Sequence, residues 1–125
     1  MNKASFTVGL VGVCGSGKTT LTNRLKPYGF NVRQIAQEHS FVPDMWQRLA
    51  NPDVLIFLEA SYTITLQRKP FNWSEAEYQE QLRRLRHARE HADIHIITDE
   101  LSPAEVLAAV LDFLGEKPIE NRVGE

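Results

Sequence analysis

The octapeptide Gly12-Val13-Cys14-Gly15-Ser16-Gly17-Lys18-Thr19 constrains this 125-residue chain more than any other feature. It follows Ser5–Val11 (SFTVGLV), a nearly continuous apolar run that predicts a strand covered on both faces. It precedes Lys18–Lys26, where Leu21 and Leu25 lie one helical turn apart and Pro27 and Gly29 close the helix. Glycines at 12, 15 and 17 let backbone N–H groups converge on one point without Cβ obstruction. The helix that follows aims its positive N-terminal end at the same point. Strand, loop and helix together predict an anion cradle. The four fixed positions would match by chance roughly once in several hundred chains of this length, with Gly at ~7% of residues.

The spacing Gly-x4-Gly-Lys-Ser/Thr is the Walker A pattern, in which the lysine reaches the β- and γ-phosphates and the hydroxyl holds Mg²⁺. The expected nucleotide-binding residues are therefore Gly12, Val13, Cys14, Gly15, Ser16, Gly17, Lys18, Thr19 and Thr20. Thr19 is the expected metal ligand and Lys18 the first catalytic candidate. Cys14 reads as a small apolar filler under the loop, with oxidation there able to affect binding.

Composition removes competing classes. The chain carries 14 Lys plus Arg against 16 Asp plus Glu, net −2, which argues against a polycation built for nucleic acid. No apolar stretch approaches the ~20 residues of a membrane helix, and the N-terminus lacks a separate signal segment. One cysteine makes no intrachain disulfide, which suits a reducing, cytoplasmic setting. The charge is uneven: Arg68–His91 is net positive and Asp93–Glu125 strongly negative, so the first is a candidate anion-handling surface or a solvated helix face.

Beyond the loop, strands and helices alternate. Strands are expected at Phe30–Ala36, Val54–Leu58 and Ile94–Thr98. Helices are expected at Asp44–Leu49, Tyr62–Gln67 and from the Ser74 cap, with Glu77 completing a capping box, to His91. Ser102-Pro103 opens a last helix that Gly115 ends. This order predicts an α/β three-layer sandwich: a parallel sheet of about four strands flanked by helices. Residues 1–115 read as one domain and 116–125 as a frayed tail.

Several branches of the Walker A proteins are set aside. No guanine-reading Asn/Thr-Lys-x-Asp, no Asp-x-x-Gly switch and no Leu-Ser-Gly-Gly-Gln is present, and the length reads as too short for an AAA or helicase core. The chain resembles the small-molecule kinase branch of P-loop NTPases, adenylate-kinase-like and shikimate-kinase-like, in unusually short form. The likeness rests on GLVGVCGSGKTTLTNRL, on PDVLIFLEA through the helix to Arg68, and on ADIHIITD with ELSPAEV. It implies that Arg68 is a lid arginine and that Asp99, Ser102 and Pro103 border the adenine. A surface helix end and a plain strand-to-helix turn are the alternatives for these positions.

Three acids end apolar strands and compete for the Walker B role: Glu38, Glu59 and Asp99. The resemblance favours Glu38, with His39 beside it, and makes Glu38 and Arg68 catalytic candidates alongside Lys18. A lid and acceptor site would have to come from Lys69–Trp73 and the helix to His91. Arg83, Arg84, Arg86 and Arg89 there are candidates for transition-state charge or for ion pairs with Glu80 or Glu90. Trp46, Phe71 and Trp73 could line an acceptor pocket or the core. His87 and His91 have metal-compatible spacing but no evident third ligand. The expected function is an ATP/Mg²⁺-binding phosphotransferase acting on a small metabolite or nucleotide. The alternatives are a nucleotide-responsive regulatory protein and a slow NTPase.

Overall fold

The protein is described from a computed structural model that covers residues 3–68 and 72–116. The expected Lys69–Phe71 part of the lid and residues 117–125 of the tail lie outside it. Four strands, β1 (Thr7–Gly12), β2 (Asn31–Gln34), β3 (Val54–Glu59) and β4 (Ile94–Ile97), form one sheet in the order β2-β1-β3-β4. Every pairing is parallel, with Val8 opposite both Val32 and Val54 and Ile56 opposite Ile94.

The pleat sends alternate residues to opposite faces, and each face has its own core. Val8, Leu10, Ile56, Leu58 and Ile96 pack against α1 (Lys18–Leu25) and α6 (Pro103–Leu114) through Leu21, Leu25, Val106, Val110 and Leu111. Val11, Leu55 and Phe57 pack on the other side against α2 (Met45–Ala50), α4 (Glu75–Arg84) and α5 (Arg86–His91) through Trp46, Tyr78, Leu85 and Ala88. The remaining helix, α3 (Tyr62–Arg68), follows β3. The result is a three-layer α/β sandwich of the P-loop NTPase type. It places β1, the strand that feeds the glycine loop, in the sheet interior.

Caps agree with the sequence. Ser74 and Ser102 each accept from the backbone N–H three residues on, while Glu77 and Glu105 return the bond. Three details differ. The strand expected at Phe30–Ala36 is paired only over Asn31–Gln34, and a 3₁₀ turn at Gln37–His39 follows. The long helix expected from Ser74 to His91 kinks at Leu85, which takes φ −91° and ψ −4° and is wholly buried. Helical bonds persist on both sides, from Leu85 N–H to Gln81 O and from Arg89 N–H to Leu85 O. Glu116, placed in the tail by sequence, is tied down by its N–H to Leu111 O and by a 2.6 Å ion pair with Lys3. Among the described residues no helix is long and apolar enough to cross a membrane.

Candidate functional site

The glycine loop leaves β1 at Gly12 and enters α1 at Lys18. Gly12 is required by space: a Cβ there would stand 2.2 Å from the Leu58 carbonyl oxygen on β3. Gly15 and Gly17 have φ of +85° and +104°, the left-handed region where a side chain is strained. A Cβ on Gly17 would meet nothing within 4 Å, so the space over the start of α1 is open.

Lys18 is 7% exposed and folds back over its own loop. Its Nζ donates to Gly12 O at 2.5 Å and to Val13 O at 3.3 Å, and pairs with Glu38 Oε2 at 2.8 Å. Glu38 reaches this buried position because the 3₁₀ turn is fastened at both ends. Gln37, wholly buried, donates through Nε2 to Val42 O and accepts the Trp46 N–H through Oε1, both at 2.8 Å. Ile35 N–H bonds Leu10 O just before the turn. Glu38 is 4% exposed, and its second oxygen, Oε1, has no hydrogen-bond partner among the described residues.

The other two strand-end acids face elsewhere. Glu59 Oε1 pairs with His95 Nε2 at 2.7 Å, and Asp99 Oδ1 accepts the Ser61 N–H at 2.8 Å. Glu38 alone of the three borders the loop cavity.

That cavity, about 800 Å³, runs along the loop and joins the two faces of the sheet. On the α1/α6 side it is lined by Leu21, Leu101, Pro103 and Val106; on the α4 side by His39, Trp73, Glu77 and Gln81. Of the residues expected along an adenine edge, Pro103 lines it. Ser102 serves as the N-cap of α6, and Asp99 borders a separate, shallower hollow with Ser61 and Ile64. Thr19 is exposed at the loop mouth, with its Oγ1 accepting from Gln34 Nε2 at 3.2 Å.

Arg68, at the end of α3, turns back to the loop. Its Nη1 donates to Gly15 O at 3.1 Å and to Thr98 Oγ1 at 2.8 Å, while Nη2 donates to Thr98 O. Thr98 Oγ1 in turn donates to Ser16 O at 3.0 Å. The guanidinium therefore joins the phosphate loop to the end of β4.

The arginines of α4 and α5 do not line the cavity. Arg83 and Arg84 pair with Glu80, and Arg84 also lies 4.2 Å over the Phe41 ring. Arg89 approaches Glu59 at 4.0 Å. His87 Nδ1 accepts from Trp46 Nε1 at 3.0 Å and its ring stacks on His91, so this pair fastens α2 to α5. Trp46 and Trp73 are both buried, but only Trp73 also borders the cavity.

Gln81 escapes sequence reasoning. It sits on α4, 8% exposed, and grips the loop: Oε1 accepts the Cys14 N–H at 3.0 Å and Nε2 donates to Cys14 Sγ at 3.2 Å. Its signal was a polar residue one position before Leu82 on the apolar stripe, which periodicity reads as an edge residue.

Comparison with known proteins agrees with this geometry. The family model described as an AAA domain matches residues 8–110, from within β1 to within α6. The exclusion of an AAA core on grounds of length is thereby overturned, since the match spans residues 8–110 of the 125. No curated protein matches the chain. A match across most of the chain, over a glycine loop built for phosphate, means that the protein belongs to the AAA domain family of P-loop NTPase-like nucleotide-binding proteins, kinases among them.

Proposed function

We propose that this P-loop protein binds ATP with Mg²⁺ and transfers the γ-phosphoryl group to a small metabolite or nucleotide. The observation that carries the reading is the buried Lys18–Glu38 pair at the head of a cavity open to both sides of the loop. In such reactions the protein mainly positions the reactants and neutralises charge. Lys18 exchanges its loop carbonyls and Glu38 for phosphate oxygens, and the amides of Gly15 and of Gly17 to Thr20 supply the remaining donors, the Ser16 N–H being held by Val13 O at 3.1 Å. The apolar lining at Leu101, Pro103 and Val106 suits a base. The polar and aromatic lining at His39, Trp73, Glu77 and Gln81 suits an acceptor.

The residues fit Mg²⁺: a buried carboxylate with one oxygen that lacks a partner among the described residues lies beside a cradle followed by a hydroxyl at Thr19. Thr19 and, through water, Glu38 would hold the ion. Held there, Mg²⁺ would supply neutralisation of the charge that develops on the transferred phosphoryl group. Glu38, released by Lys18, orients the acceptor hydroxyl.

A second reading, a nucleotide-responsive regulatory protein or slow NTPase, is favoured by one observation. Of the arginines between 68 and 91, only Arg68 lines the cavity, and it is engaged with Gly15 and Thr98. Radiolabelled ATP mixed with the protein and a metabolite panel separates the two. A labelled product supports the kinase; label appearing only as inorganic phosphate, or nowhere new, rules it out. ATP affinity by calorimetry is expected to vanish in Lys18→Ala, and equal affinity in both forms would refute nucleotide binding at this loop.

A further inference from the structure

Cys14, Glu38 and His39 converge at the mouth of the loop cavity, and each offers one metal-binding atom within 4.8 Å of the others. Cys14 Sγ lies 3.7 Å from His39 Nε2, and His39 Nε2 lies 3.8 Å from Glu38 Oε2. Around a tetrahedral Zn²⁺ with ordinary Zn–S, Zn–N and Zn–O lengths, ligand atoms stand ~3.3–3.6 Å apart. Two of the three separations are thus within a few tenths of an ångström of a closed set, and all three atoms lie within 4.8 Å of one another.

We propose that Cys14, Glu38 and His39 form a binding site for a borderline-soft divalent cation of the Zn²⁺ class, which shares Glu38 with the Mg²⁺ position proposed at Thr19 and differs from it in its sulfur and nitrogen ligands. One thiolate, one imidazole and one carboxylate match Zn²⁺ or Co²⁺ and not the all-oxygen shell that Mg²⁺ requires. A second observation points to a ligand here: Glu38 is 4% exposed and lines the cavity, and while Lys18 Nζ holds Oε2 at 2.8 Å, Oε1 has no partner among the described residues and is the oxygen left to a cation. Gln81 supplies the supporting contact, since its Nε2 donates to Cys14 Sγ at 3.2 Å and orients the sulfur. His39 is exposed, so its ring is reachable and free to shift the short distance that closure needs. Three protein ligands leave a fourth position open to the cavity, the pattern of zinc sites that also take water or an exogenous oxygen ligand.

The test uses the nucleotide-free protein and the metal alone, so its outcome does not depend on kinase activity. Zn²⁺ displaced from a chromophoric chelator is expected to bind at one equivalent. The affinity is expected to fall at least ~10-fold in His39→Ala and in Cys14→Ser, and to be unchanged in His91→Ala. Co²⁺ is expected to give a sulfur-to-metal charge-transfer band that Cys14→Ser abolishes. Absence of stoichiometric binding, equal affinity in the His39 and Cys14 variants, or a loss confined to His91→Ala would each overturn the site. Exposed His39 makes His39→Ala a variant that retains its fold, verified by circular dichroism.

Discussion

Gln81 holds Cys14 by two bonds across 67 positions of sequence, taking the Cys14 N–H at 3.0 Å and giving its own amide N–H to Sγ at 3.2 Å. Through this contact α4 braces the phosphate loop from the face opposite α1. Removing the side chain leaves a part-buried loop N–H unsatisfied. Gln81→Ala is therefore expected to lower stability by about 1–3 kcal/mol, read as a shifted urea midpoint at constant slope. Gln81→Glu keeps the acceptor and loses the donor, and is expected to retain more stability than Gln81→Ala. An unchanged midpoint in Gln81→Ala would mean that the loop holds its shape without α4.

Lys18 and Glu38 are each more than nine-tenths buried, and each is the other's charged partner. Breaking a buried pair by removing one member typically costs about 3–5 kcal/mol, because the remaining charge stays uncompensated. Lys18→Ala is expected to destabilise the nucleotide-free protein by that order. Glu38→Gln, which keeps an acceptor for Nζ, is expected to cost less. The double variant Lys18→Ala/Glu38→Gln is expected to recover part of the Lys18→Ala loss, so a double-mutant cycle by chemical denaturation should give clear non-additivity. Additive losses would refute the pairing.

The glycine loop, the four strands and the Ser74–Glu77 capping box were legible because each depends on local chemistry: glycine spacing, β-branched runs, and a serine three residues before a glutamate. At Ser102 the helix start was legible, and the matching box with Glu105 came from the structure. From its own residues Glu38 was legible only as one of three strand-end acids, and the family resemblance alone favoured it. What sets it apart is a 3₁₀ turn held by Gln37 to Val42 and Trp46, a contact between segments that no periodicity encodes. The kink at Leu85 carries no proline or glycine, so the helical pattern runs through it unbroken. The basic segment from 68 to 91 looked like a source of charge for the site. Pairing of Arg83 and Arg84 with Glu80 keeps two of those charges on the helix surface instead.

Tyr78 predicts a response to alkali. Burial pushes its hydroxyl above the ordinary value of 10.0, and the Glu59, Asp99 and Glu75 carboxylates push the same way. Its O–H donates to Ala60 O at 2.8 Å. The folded protein therefore keeps the Tyr78 proton at a pH where the unfolded chain has lost it. That contribution is complete below pH 10 and is lost as pH rises from there through the folded value. Tyr78→Phe is expected to cost about 1 kcal/mol at neutral pH and to flatten the alkaline fall in stability. The tyrosinate ultraviolet band should lose its latest-titrating component in the same variant. If that component persists, the late titration belongs to another tyrosine.

Arg68 joins Gly15 to Thr98 with a planar fork, Nη1 shared between Gly15 O and Thr98 Oγ1 and Nη2 on Thr98 O. The contact orders a loop carbonyl beside the cradle, so its loss should act on nucleotide affinity through the loop's shape. Arg68→Ala is expected to weaken ATP binding about 10-fold, equivalent to roughly 1.4 kcal/mol, with a smaller effect on the denaturation midpoint. Lysine has one point donor group and cannot span both acceptors in this geometry. Arg68→Lys should therefore restore only part of the affinity, which calorimetry of the three proteins measures directly. Full restoration by lysine would mean that charge near the phosphates, and not the bridge to β4, is what Arg68 contributes.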